Sequence, residues 1–286
     1  MPERIVLAID GGVASAAALS WTLSRAANTD LNVRLMTIDE SASPGTESSK
    51  RLEAVRALGL AAGRFAELAP RSTIEMVLLR GKAVDVLARE SVTADLVVIG
   101  SHSSGVLSGV FGVSVPLGLA PRSSCPVVIV PALWAPSDGP VVVGVDEPTS
   151  VAAQEFAARE AERLVRDLVL VRAWELAPMV TMELLGAGTA EAAIRDANAE
   201  LLATAASAIK LRHSSLSVTG KLSYATPFRA LVAVAEGMSL VVIGTHHRHM
   251  LAEMMLGSVG HDLVMHVPCP VVIVPPLDRR GAAHPD

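Results

Sequence analysis

Two strings of residues recur in this chain at one spacing, and that recurrence constrains the fold more than any other feature. LVVIG stands at Leu96–Gly100 and again at Leu240–Gly244; CPVVIVP stands at Cys125–Pro131 and again at Cys269–Pro275, both pairs 144 residues apart. Coincidental similarity between Val-rich strands would not preserve a shared register, so the chain is an internal duplication. Nearer the N-terminus the spacing falls to 136, from Asp10 in VLAID to Asp146 in VVGVD, and the second copy therefore carries about eight extra residues. Their predicted place is Glu175–Thr189.

Each copy alternates short β-branched runs with helical stretches. In the first copy the predicted strands are Arg4–Ile9, Asn32–Ile38, Thr73–Leu79, Leu96–Ile99 and Val127–Val130, with helices such as Ser15–Ala27 and Glu47–Phe65 between them. The second repeats the pattern at Val141–Val145, Leu168–Ala173, Leu216–Ser223, Leu240–Ile243 and Val271–Val274. Such alternation implies an α/β fold: two open-twisted, five-stranded parallel sheets with helices on both faces. The Pro/Gly/Ser-containing link Leu133–Gly139 divides the chain into domains 1–134 and 139–278.

Composition fits buried parallel strands. Apolar residues make up 51% of the 286 and aromatics only 3%, so the cores must be built from Val, Leu, Ile and Ala. A net charge of -5 with interspersed signs points away from nucleic acid and from a polybasic membrane patch. No apolar run approaches the ~18 residues of a membrane span. With only Cys125 and Cys269 present and no signal-peptide pattern, a cytoplasmic protein is expected, its two thiols buried and structural.

In sheets of this kind ligands bind beyond the carboxyl ends of the strands, where the chain order reverses. That places interest on the loops after the first strand (Asp10, Asp146), the second strand (Thr37–Glu40, Ala173–Leu176) and the fourth strand (from Gly100, Gly244). The last of these reads Gly244-Thr-His-His-Arg-His in the second copy and ends with Gly257-Ser258 at the start of a helix carrying Val259, Leu263 and Val264. Glycine allows close approach of an anion, and free amides at a helix start point toward it. The same Gly257-Ser258 pair also reads as an ordinary helix cap. His246 and Arg248 are candidates to face phosphates. The run His246, His247, His249 with His261 does not match a zinc arrangement, so no metal site is assigned. Lys82 and Thr226 read as helix-start residues.

Taken together, Asp10-Gly-Gly-Val-Ala-Ser15, the glycines after the fourth strand and Cys125/Cys269-Pro-Val-Val resemble the universal stress protein family, in a tandem arrangement covering nearly the whole chain. The resemblance implies a five-stranded parallel α/β fold of the adenine nucleotide alpha hydrolase-like, Rossmann-like type, with the copies related by a pseudo-two-fold. It implies ATP as ligand, with magnesium as its companion ion, bound after the fourth strand by Gly-x-x-Gly-(nine residues)-Gly-Ser/Thr. Asp10 and Asp146 would lie near the nucleoside, and Thr37 and Ala173 would present backbone to adenine. Gly100, Gly112 and Ser114 would form the first phosphate loop. Gly244, His246, His247, Arg248, Gly257, Ser258 and Val259 would form the second.

Departures from the family pattern separate the copies. His247 replaces the second glycine in one copy; Ser103 and Val113 replace two in the other, with Gly112 one residue early. Pro116 is tolerable in a first helical turn, but Pro121 should end the helix that follows Ser114. Conversely, Asp146-Glu-Pro-Thr lacks the glycine that follows Asp10. The second copy is therefore the expected adenine-nucleotide site. The apolar fifth strands suggest pairing of the copies within the chain, as well as a homodimer. No catalytic set stands out, so the chain reads as a stress-response regulator rather than an enzyme; the alternative is a nucleotide-free interaction module.

Overall fold

The β-branched runs form strands and the Ala-rich stretches form helices, in the order the duplication dictates. The computed structural model describes residues 1–27, 29–40, 47–101, 114–146, 151–176, 188–245, 258–266 and 269–276. The first copy runs β1 (Glu3–Ala8), α1 (Val13–Ala26), β2 (Leu31–Asp39), α2 (Glu47–Leu68), β3 (Thr73–Arg80), α3 (Ala83–Glu90), β4 (Leu96–Ser101), α4 (Ser114–Leu119) and β5 (Val127–Pro131). The second runs β6 (Val141–Gly144), α5 (Val151–Leu164), β7 (Leu168–Trp174), α6 (Gly188–Arg212), β8 (Val218–Tyr224), α7 (Pro227–Ala235), β9 (Leu240–Gly244), α8 (Ser258–His266) and β10 (Val271–Val274). The third strand of the second copy begins two residues later than its sequence pattern predicts, because Leu216 closes a turn through its amide to the His213 carbonyl.

By contact the chain divides into Met1–Pro136 with Thr245–Asp286, and Ser137–Gly244. In the first unit the strand order is β3-β2-β1-β4-β5-β10. Pairing is parallel from β3 through β5, whereas β10 runs antiparallel to β5, with Val271 opposite Ile129 and Ile273 opposite Val127. The fifth strand of the second copy thus shields the edge of the first copy's fifth strand. In the second unit the order is β9-β6-β7-β8, all parallel.

Burial follows position in each sheet. Every residue of β4 and β5 is buried, as expected for parallel strands covered on both faces. β3 and β8 are last in their units and carry polar residues such as Glu75 and Lys221 on exposed positions, which blunts an edge against further pairing. Each fully buried Val, Leu or Ile contributes about 1.5–3 kcal/mol. Arg25 is buried too; it forms a bidentate pair with Glu3 at 2.7 and 2.8 Å and its guanidinium lies 5.6 Å from the Trp21 ring centre.

Candidate functional site

Strand order reverses once in each unit. From β1 the chain steps outward to β2 and β3, then returns to β4 on the other side of β1; β6, β7, β8 and β9 repeat the move. The carboxyl ends of β1/β4 and β6/β9 are therefore the switch points at which ligands bind in such sheets. Asp10 and Asp146 follow β1 and β6, and Gly100 and Gly244 lie at the carboxyl ends of β4 and β9.

In the first copy the loop after β1 is held by its own backbone. The Gly12 amide donates to Asp10 Oδ1 at 2.8 Å, and Ser15 Oγ donates to the Gly12 carbonyl at 3.0 Å. Gly11 sits at φ +81°, a conformation that favours glycine. Gly100 is required for a different reason: a Cβ there would lie 2.2 Å from the Ala14 carbonyl carbon and oxygen, so α1 can approach β4 this closely only over a glycine. Thr37 is buried and donates its hydroxyl to the Ile9 carbonyl at 2.7 Å.

The second copy uses a different chemistry at the equivalent place. Arg172 Nη1 donates to Asp146 Oδ1 at 2.7 Å and to the Val145 carbonyl at 3.1 Å. Its Nε donates to Asn198 Oδ1 at 2.9 Å, and Asn198 Nδ2 in turn donates to the Ile194 carbonyl of α6 at 2.8 Å. Sheet register shows that Arg172 replaces Thr37. Ile5 pairs with Val33 and Val141 with Leu168; the Ile9 amide meets the Met36 carbonyl as the Val145 amide meets that of Val171. Thr37 and Arg172 are the next residues along, and each donates to the carbonyl just before the aspartate. Ala173 is therefore equivalent to Ile38, not to Thr37. The same register resolves the length difference: one residue is lost between β6 and β7, and nine are gained before β8.

The next positions on the rim differ as well. Asp39 pairs in register with Arg80, and the two side chains approach to 3.9 Å. Their equivalents are Trp174 and Tyr224, whose rings meet edge to face at 4.8 Å. Glu40 Oε1 accepts the Ala83 amide at 2.5 Å at the start of α3, whereas Pro227 occupies that position in α7 and has no amide to give. There Thr226 caps the helix instead, accepting the Arg229 amide at 3.4 Å.

After the fourth strands, Ser114 opens α4 and Ser258 opens α8, with Val259 half-buried behind it. α4 holds Pro116 in its first turn and stops at Leu119, two residues before Pro121. α8 is half as long again, extending from Ser258 to His266. Gly112, His246, His247, Arg248 and Gly257 lie outside the described residues. Among the described residues no group of three or more His, Cys, Asp or Glu is placed to hold a metal ion, and no helix is long and apolar enough to cross a membrane. Both cysteines are buried, and burial pushes the Cys269 thiol up to about 12.

Arg172 and Asn198 were missed as site residues by sequence reasoning. The signal was a lone charge inside the apolar run Leu168–Trp174, where a buried strand has no use for one unless it is paired.

Comparison with known proteins agrees with this architecture. The sequence profile of the universal stress protein family matches residues 1–131 and again 139–275. This chain belongs to that family, as a tandem member. A universal stress protein of Mycobacterium tuberculosis is 32% identical over 201 residues, covering 68% of this chain; the match spans 63% of that relative's own length. Another from the same organism is 28% identical over 94% of this chain and 96% of its own. The solved universal stress protein of Archaeoglobus fulgidus covers 96% of both chains with a TM-score of 0.71 at 16% identity, a likeness of fold. Other solved members of the family are complexes with cAMP and dAMP; they cover 49% and 48% of this chain, with 20% and 22% identity and TM-scores of 0.36 and 0.33.

Proposed function

We propose that this chain binds an adenine nucleotide, ATP in the first instance, and acts as a cytoplasmic stress-response sensor or adaptor rather than as a turnover enzyme. The observation that carries the reading is the placement of Asp146 and Gly244 at the carboxyl ends of β6 and β9, where the strand order reverses. A carboxylate offers about four acceptor positions. Its capacity exceeds the Arg172 bond, and a ribose hydroxyl is a donor of the kind it accepts. The second copy is the stronger candidate. Its sequence keeps Gly257 and Ser258 at the start of the nine-residue α8, whereas the first copy has Val113 before the six-residue α4. No carboxylate cluster among the described residues fits magnesium, so the ion would be held chiefly by the phosphates.

Calorimetric titration of the full chain with ATP tests the reading. Stoichiometric binding supports it, and Gly257→Val should abolish that binding while leaving the fold intact. Absence of both heat and thermal shift at saturating ATP overturns it. The second reading is a nucleotide-free interaction module. It is favoured by one observation: the Asp146 carboxylate is already engaged by a cation of its own chain.

A further inference from the structure

We infer that α2 is a self-association surface, through which two chains of this protein pair antiparallel about a two-fold axis at Gly59. Leu52, Val55, Gly59, Gly63 and Ala66 recur every three or four residues along α2 and so form one stripe, and all five are exposed. Leu52 is 70% exposed and Leu60, beside Gly59, 65%, which leaves contiguous aliphatic surface in water. Glycine weakens a helix interior more than any residue except proline, yet a Cβ on Gly59 or Gly63 would meet nothing within 4 Å. Their own chain gives them no packing reason to be glycine.

The other copy of the fold does without this face. Strand register carries the 144-residue spacing back to these helices, since Thr37 pairs with Leu78 and its equivalent Arg172 with Leu222. The buried Leu58 and Phe65 then fall on Leu202 and Ile209 of α6, which are buried too. On the outside, Leu52 becomes Asp196, Leu60 Thr204, Gly63 Ser207 and Ala66 Lys210, while Val55 and Gly59 become Ala199 and Ala203. Packing against the sheet is kept and the outer stripe turns polar, so the apolar stripe belongs to α2 alone.

The stripe fits its own reverse. Leu52 and Ala66 lie seven residues to either side of Gly59, and Val55 and Gly63 four. An antiparallel pair crossing at Gly59 therefore sets Leu52 against the second chain's Ala66 and Val55 against its Gly63, large on small. Glycine at the crossing lets the two backbones approach closely. One flank carries Glu53, Arg56, Arg64 and Glu67, all exposed and none in an ion pair among the described residues. A two-fold turns that flank onto itself. Glu53 then comes level with the second chain's Arg64, and two carboxylates meet two guanidiniums at each end. The edge of β5, where the sequence suggests a homodimer, is covered by β10, so a pair of chains needs another surface.

One helix against one helix is small beside the about 1,200 Å² of stable complexes, so weak association is expected and the dilute protein is monomeric. Sedimentation velocity of the full chain across a concentration series tests the inference. The parent should shift from the mass of one chain toward that of two as concentration rises to about millimolar. Gly59→Leu should weaken dimerisation by about tenfold or more, because its side chain fills the crossing while meeting no obstacle in its own chain. Leu52→Asp, which copies α6, should weaken it too. Glu53→Arg should do the same, and adding Arg64→Glu should restore the pair by opposing the charges again. A parent that remains one chain throughout overturns the inference and gives the face to a helix of another protein. A dimer that either Gly59→Leu or Leu52→Asp leaves untouched overturns it as well. So does a Glu53→Arg loss that Arg64→Glu leaves in place.

Discussion

Arg172 and Asp146 form a partly buried ion pair across the carboxyl ends of β7 and β6, at the position where the first copy places the hydroxyl of Thr37. Two repeats of one fold have therefore solved one local problem, satisfying the carbonyl before the aspartate, with a neutral hydroxyl in one copy and a guanidinium in the other. The exchange continues outward along the rim, where the Asp39–Arg80 pair becomes the Trp174–Tyr224 ring contact. The copies share a scaffold while presenting different chemistry at the carboxyl ends of its strands.

Gly100→Ala should destabilise the first copy by about 3 kcal/mol or more, since the new methyl meets backbone rather than a movable side chain. The control is Gly59→Ala in α2, where a Cβ meets nothing within 4 Å. Relief of backbone entropy there should stabilise by about 0.5–1 kcal/mol. Denaturant unfolding of the two variants should move in opposite directions; a shared direction contradicts the packing argument.

Val165→Gly should raise stability by about 1 kcal/mol. Val165 sits at φ 56°, directly after α5, with its amide donating to the Glu162 carbonyl and the Arg166 amide to that of Ala161. This is a helix-ending motif that favours glycine, occupied by an exposed β-branched residue that buries little in return. A lower melting temperature in the variant would show that the side chain has a packing role.

Cys269 should resist alkylation in the folded protein at pH 8, because burial raises its thiol to about 12 and leaves almost no thiolate. Reaction should appear only on unfolding. Rapid modification under native conditions, followed by mass spectrometry of the peptide, would argue for a reactive rather than structural thiol.

The α5–α6 contact should weaken in acid. Desolvation pushes the Glu155 carboxyl upward, but hydrogen bonds and charge from Arg212 and His213 outweigh it and hold the group below its ordinary 4.5. His213 also faces Glu162 at 3.0 Å. A lowered folded value means the stabilisation is complete above the ordinary carboxylate range and is lost as pH falls through the folded value. The stability gap between the parent and Glu155→Gln should therefore be full above the ordinary carboxylate range and shrink as pH falls below it. A gap that is constant with pH would refute the assignment.

Sequence alone determined the duplication, the strand-and-helix alternation and the switch-point aspartates, because each rests on local pattern: apolar periodicity, a shared spacing of strings, a residue just past a strand. It also marked where α4 must stop, since proline excludes itself from a helix interior by its own covalent structure. Tertiary structure decided what depends on register. A one-residue deletion before β7 is invisible in a string of similar apolar residues, yet it sets Arg172 rather than Ala173 opposite Thr37. The pairing of β10 with β5, the contact of Trp174 with Tyr224 and the grip of Arg172 on Asp146 all join residues distant in the chain or on neighbouring strands. No local propensity encodes such contacts. They follow from which atoms the packed sheet brings within hydrogen-bonding or van der Waals reach.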